Sequence, residues 1–417
     1  MSRATTPAQT SVELADVVNR HLEKFLEKYA DRLTITALRT FYDIAHCRTV
    51  AMGGHEEVCE SCGFHRIAYN SCRNRHCPKC LGSASFRWAE AREGELLPVP
   101  YFHVVFTLPH RLAPLALGNQ RVLYNLLFQA AAATLNKVAA RHLGARIGFI
   151  GVLHTWGQKM DFHPHIHFII PAGGLSSDHT RWIHGRADYF LPVKVLSRVY
   201  RGKLLDLLYR SHHRGELQLD GPLRKARSPR GFKRLLASTK ASDWVVYTKP
   251  PFGGPNQVIR YLARYTHRVA ITNNRILACD NDYVTFSYKD YVDGSKRKRL
   301  TLSAMEFLRR FSMHILPRQF TRIRHFGFLA NAGRRARIQL CQRLTASLIE
   351  GPSEQASAES ALSNAPENDQ LPSTRFELPS DFRCPCCGTA PLTVRAITTR
   401  RFVVPSLLRQ PTAWNTS

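Results

Sequence analysis

The sequence predicts an α+β chain in which strand-forming runs and helices follow a helical, cysteine-rich N-terminal segment. Three observations carry this. Apolar residues recur at helical spacing through 11–46, 119–142, 303–315 and 331–349. β-rich runs at 101–109, 147–156 and 165–171 end at prolines or turn residues. Cysteines cluster between Cys59 and Cys80 at the spacing of metal ligands rather than scattering through a core. The chain has 417 residues, of which 44% are hydrophobic and 22% charged. That excludes a wholly disordered protein and suits about two or three domains.

Taken in order, VELADVVNRHLEKFLEKY is an amphipathic helix and a second follows around Thr34–His46. After the cysteine stretch, a short helical link at Ser83–Leu96 runs to Pro98 and Pro100. YFHVVFTLP is a strand stopped by proline, and a long helix spans about 119–142. IGFIGVLHTW and HIHFIIP are strands joined by GQKMDFHP. Asp243–Lys249 is a further strand and Asn256–Arg268 a helix. ITNNRILACDNDYVTFSYKD reads as a hairpin with turn residues at Asn273-Asn274 and Asp280–Asp282, and RKRLTLS adds a strand. Residues 350–380, rich in Ser, Ala, Glu and Pro with no apolar period, are expected to be a disordered linker.

Lys and Arg number 59 against 31 Asp and Glu, a net charge of +28. A chain this basic needs a polyanion, and nucleic acid is the first candidate. No apolar run is long enough for a transmembrane helix, and the N-terminus lacks a signal-peptide core. The expected location is therefore the cytosol, associated with the nucleoid, without a membrane partner. There the 11 cysteines suit metal binding better than disulfides.

Cys59-x2-Cys62 and Cys77-x2-Cys80 can place four thiolates around one structural Zn²⁺, whose binding would supply folding energy to a short segment. Cys72, His65 and His76 are alternative donors within the same stretch. Arg73, Arg75 and Lys79 among these ligands would offer cations to phosphate. Cys384-x2-Cys387, made CPCC by Cys386, is half a site: either it borrows donors from elsewhere or it is an unmetallated knuckle. Truncation near residue 350 is expected to be tolerated.

His165 and His167 flank Ile166, so on a strand both imidazoles share one face while Ile166, Phe168 and Ile170 face a core. Two histidines on one strand form a platform for a divalent ion. A third donor would come from Gln158, Asp161 or His163 in the preceding turn. The pair also suits other metalloenzymes, or a structural role. Tyr261 and Tyr265, at i and i+4, share a helix face amid Arg260, Arg264, His267 and Arg268. Positive charge there favours phenolate, which can attack a phosphodiester; ordinary amphipathic packing is the alternative.

The strings SCRNRHCPKC, YFHVVFTLP, LHTWGQKMDFHPHIHFIIPAGG and YLARYTHRVAITNNR together resemble the insertion-sequence-91-type transposases. These are rolling-circle enzymes of the HUH superfamily, U being a hydrophobic residue. The resemblance runs from about residue 15 to about 345. It implies an HUH-type antiparallel sheet with packed helices, preceded by a helical and zinc-binding segment. His165 and His167 match the HUH motif, Tyr261 and Tyr265 the paired nucleophiles, and Gln158 the place of a polar third ligand to Mg²⁺ or Mn²⁺. The expected organisation is a helical and zinc-binding domain over 1–97 and a catalytic domain over 98–349. The linker and a basic tail, 381–417, complete it. The implied chemistry is cleavage and rejoining of single-stranded or hairpin DNA through a 5′-phosphotyrosine. Tyr283, Phe286, Tyr288, Lys289 and Tyr291, with KRKR at 296–299, either stack bases and hold phosphates or form a solvated face. A non-catalytic zinc-ribbon DNA binder would explain the charge and cysteines but not the histidine and tyrosine pairs.

Overall fold

The computed structural model describes residues 12–186, 190–240, 244–249, 269–346, 384–388 and 392–398. Along the chain, α1 (Leu14–Tyr29) and α2 (Ile35–Ala45) precede the strands β1 (Gly54–Val58) and β2 (His65–Tyr69). Next come α3 (Pro78–Glu93), β3 (Tyr101–Thr107), α4 (Ala113–Gly118) and α5 (Gln120–His142). The strands β4 (Phe149–Trp156) and β5 (Phe162–Pro171) lead to the short β6 (Gly173–Leu175) and β7 (Trp182–His184). Helices α6 (Val193–His213) and α7 (Pro229–Lys240) precede β8 (Val246–Lys249). A ribbon of β9 (Ile276–Asp280), β10 (Tyr283–Asp290) and β11 (Lys296–Ser303) is followed by α8 (Ala304–Met313). The remainder is β12 (Ile323–Phe326), α9 (Arg334–Ala346) and β13 (Thr393–Thr398).

The described residues form two compact units, one of 12–45 with 73–346, the other of 46–72 with 384–388 and 392–398. This differs from the expected boundary at residue 97. The reason lies in what the N-terminal helices bury. Leu14, Val17, Val18 and Phe25 make the apolar face of α1, and that face packs on β9 and α8 within the larger unit. Phe41 of α2 lies 5.7 Å from the Phe25 ring and 5.8 Å from Phe311 of α8. Arg20 donates to the Cys279 carbonyl in β9, and the Leu14 N–H to Asn273 Oδ1. An amphipathic helix requires an apolar partner, and here residues some 260 positions downstream provide it.

The larger unit is built on an antiparallel sheet of order β12-β4-β5-β3-β8. Alternation assigns its two faces different tasks. Ile166, Phe168 and Ile170 of β5 and Phe102, Val104 and Phe106 of β3 point into one core, covered by α5 and α6. Phe168 stands edge-on to Phe106 and Phe149. Gly151 is paired with Phe168, and a Cβ there would meet the Phe168 ring at 2.5 Å, so glycine is what lets that ring lie across β4. The opposite face is covered at one end by Tyr101, Ile150, Ile169, Trp182, Phe328 and Ile338. At its other end it carries imidazoles in place of aliphatic side chains.

Helix α6 and helix α7 come from 172–242, a stretch for which the sequence reading named no element. The expected hairpin is β9–β10, with Asn281 at φ 49° in its turn. The expected helix at 256–268, the linker at 350–380 and most of the basic tail lie outside the described residues. No helix among the described residues is long and apolar enough to cross a membrane.

Candidate functional site

β4 and β5 pair so that His154 stands directly opposite His165, with His167 two residues further along the same face. One ligand nitrogen from each of the three imidazoles lies within 4.8 Å of the others. Two nitrogens bound at ~2.1 Å to one tetrahedral ion would stand about 3.4 Å apart, so small ring rotations close the set. His154 and His167 are buried and His165 half-buried. Burial pulls the His165 pKa down to about 4, which keeps the ring neutral and its lone pair available.

Both motif histidines are oriented through Nδ1. That of His165 donates to the His163 carbonyl at 2.6 Å. That of His167 is hydrogen-bonded at 2.8 Å to Nε2 of the buried His103 on β3, and the two rings lie nearly parallel. With Nδ1 so engaged, Nε2 is the nitrogen that would bind an ion, which is how an outer partner fixes the tautomer of a metal-binding histidine. His154 is held by stacking on Trp156, with ring centroids 4.6 Å apart. His163 approaches the His165 ring at 5.3 Å but is not part of the converging set.

Gln158, expected as the third ligand, is engaged elsewhere. Its Oε1 accepts from the Lys289 N–H and its Nε2 donates to the Tyr291 hydroxyl, so the amide serves the ribbon. Arg275 also donates to the Gln158 carbonyl, and the Lys159 ammonium lies 5.0 Å from the Tyr288 ring centre. The turn between β4 and β5 is thereby docked on β10. Sequence reasoning passed over His154 because which residue of β4 stands opposite His165 is fixed by cross-strand register. Its alternation with Val152 and Ile150 was the signal available.

The four cysteines Cys59, Cys62, Cys77 and Cys80 do not make one cluster. Cys59 and Cys62 converge with Cys384 and Cys387 in the smaller unit. Cys77 and Cys80 belong to the larger unit, with Cys77 as the N-cap residue of α3 and Cys80 in its first turn. A β1–β2 hairpin flanked by β13 brings the tail knuckle to the first one, which proximity in sequence could not reveal. In the smaller unit the Cys72 N–H also points at Cys47 Sγ at 3.5 Å.

The cationic residues separate in the same way. Arg73 is exposed. Arg75 is spent on the carbonyls of Pro317 and Phe320, and Lys79 pairs with Glu13, so both hold the fold together rather than facing outward. Tyr283 and Tyr291 are exposed, whereas Phe286 is fully buried against Phe307 and is no stacking platform. Lys298 is tied to Asp290 and Asp293. Tyr261, Tyr265, Arg260, Arg264 and Arg268 lie outside the described residues.

Comparison with known proteins identifies the family. A family model described as a transposase zinc-binding domain matches residues 17–108, and one described as "Putative transposase" matches 148–337. The first span holds six of the chain's cysteines and the second holds all three imidazoles. The chain is 46% identical over 349 residues to "Putative transposase y4qJ" of Sinorhizobium fredii (strain NBRC 101917 / NGR234), covering 83% of this chain and 87% of that protein. It is 31% identical over 288 residues to the transposase for insertion sequence element IS801 of Pseudomonas savastanoi pv. phaseolicola, covering 68% of each. No solved structure matches. With its mixed helical and antiparallel architecture, its cysteine cluster and these relatives, the chain belongs to the insertion-sequence-91-type transposases, DNA-processing enzymes with an N-terminal zinc-binding domain.

Proposed function

We propose that this transposase cuts and rejoins single-stranded DNA at the ends of a rolling-circle element by HUH-type chemistry. The observation that carries the reading is the convergence of His154, His165 and His167 on adjoining strands, the latter two spaced as an HUH pair. The three imidazoles would hold a divalent ion that, when bound, polarises a non-bridging oxygen of the scissile phosphate. Imidazole donors suit Mn²⁺ better than Mg²⁺, which favours oxygen ligands, so cleavage should be faster with Mn²⁺.

Tyr261 and Tyr265 supply the nucleophiles in this reading. One phenol loses its proton and its oxygen attacks phosphorus in line. The bond to the 3′ oxygen breaks, and that oxygen leaves as a 3′-hydroxyl after taking up a proton. The strand stays attached as a 5′-phosphotyrosine, whose ester energy is returned when a 3′-hydroxyl attacks it. Exposed Tyr291, whose hydroxyl accepts from Gln158 in the β4–β5 turn, would give an unpaired base a surface to stack on next to that turn. That favours single strands over duplex.

The test is to incubate the protein with end-labelled single-stranded element ends and Mn²⁺, then look for a denaturant-resistant adduct. A DNA-linked peptide containing Tyr261 or Tyr265 is the expected product. Tight binding without any adduct would mark a non-catalytic DNA binder and reject the mechanism. His103→Ala, which removes the partner of His167 Nδ1, should weaken Mn²⁺ affinity about 10–100-fold, raising the Mn²⁺ needed for cleavage, without loss of DNA binding. Metal titration of cleavage measures it.

A further inference from the structure

We propose that Cys59, Cys62, Cys384 and Cys387 bind one structural Zn²⁺ that fastens the C-terminal tail to the zinc-binding segment, so that this ribbon is completed only by the end of the chain. The family model for the zinc-binding domain stops at residue 108 and contains neither Cys384 nor Cys387.

The geometry is that of a thiolate tetrahedron. Cys59 Sγ stands 3.7 Å from Cys387 Sγ, and Cys62 Sγ stands 3.6 Å from Cys384 Sγ. Sulfurs bound at ~2.3 Å to one tetrahedral Zn²⁺ would be separated by about 3.8 Å. A disulfide would need about 2.05 Å. The two knuckles are also built alike. Each is Cys-x2-Cys-Gly, with Gly63 at φ 69° and Gly388 at φ 68°. In each, the glycine N–H donates to the carbonyl of the first cysteine, at 2.9 Å in one and 2.8 Å in the other. The Cys386 N–H points at Cys384 Sγ at 3.3 Å, a donor aimed at a sulfur that carries negative charge when metallated.

The backbone brings the two halves together. Cys59 follows directly on β1, where Val58 is paired with His65 of β2 on one side and Thr393 of β13 on the other. The Thr393 hydroxyl donates to the Val58 carbonyl. The order β13-β1-β2 thus makes a three-stranded ribbon from segments over 300 residues apart. Few large apolar side chains are buried among the described residues of this unit, Met52 and Val58 being two of them. A ribbon with so little core depends on metal for its stability. Residues 384–388 and 392–398 are therefore part of the zinc-binding unit, and on this proposal truncation near 350 would cost that unit its zinc.

Zinc content per chain tests this in the full-length protein. Cys384→Ser with Cys387→Ser should remove one equivalent, Cys59→Ser with Cys62→Ser one equivalent, and all four substitutions together still only one. Cys386→Ser, the exposed neighbour, should remove none. An unchanged content in the Cys384/Cys387 variant, or two equivalents lost in the fourfold variant, would overturn the shared site. A second experiment needs no cysteine change. A protease site is inserted between Glu350 and Gly351 and cleaved in the folded protein. The fragment from 351 onward should stay bound until a chelator removes zinc. Its release before chelation, or its retention afterwards, would show that zinc is not the fastening.

Discussion

Phenylalanine at both Tyr261 and Tyr265 is expected to abolish the covalent protein–DNA adduct and to lower strand cleavage by about 10³-fold or more, while DNA binding persists. Removing a covalent nucleophile takes away the bond that the reaction forms, so no neighbouring group can make up the loss. Phenylalanine keeps the ring and its packing, and so separates the phenol's chemistry from its bulk. Each single variant is informative on its own. If one tyrosine opens the first strand and the other the second, one variant loses all adduct and the other loses only strand transfer. A double variant that still labels would assign the covalent chemistry to another residue and withdraw the proposed mechanism. Adduct yield, transfer products and binding affinity, measured on the same labelled strand, separate these outcomes.

Much of the five-stranded sheet was legible because it rests on period-two alternation. The run His165–Ile170 declares one polar and one apolar face, and Ile166, Phe168 and Ile170 are buried as that pattern requires. What alternation cannot give is register across strands. His154 joins the set because the pairing of β4 with β5 sets it opposite His165, and that register has no residue-type signature. Gln158 was chosen by distance along the chain, yet its turn is held by the ribbon. The same limit governed the cysteines. Spacing identifies a knuckle reliably, but any knuckle can complete any other, and Cys62 finds Cys384 322 positions away. Helix α6 shows a different omission, since Leu196, Tyr200, Leu204 and Leu208 recur at helical spacing and are buried as that period demands.

His154→Ala is expected to weaken the catalytic ion by at least about 100-fold, beyond the ~10–100-fold typical of losing an outer partner, because it removes one of three donors. Cleavage should fall in proportion at limiting Mn²⁺ and recover partly as Mn²⁺ is raised. That recovery distinguishes a ligand from a packing residue, for a cavity beside Trp156 would lower thermal stability without responding to metal. His154→Asp sharpens the contrast. It restores a donor, now a hard carboxylate oxygen, and so should shift the preferred ion from Mn²⁺ toward Mg²⁺. Gln158→Ala should leave metal affinity unchanged, because its amide is engaged by Lys289 and Tyr291. If Gln158→Ala instead proved the more damaging of the two, the site would have the ligand first suggested by its position in the chain, and the three-imidazole arrangement would be wrong.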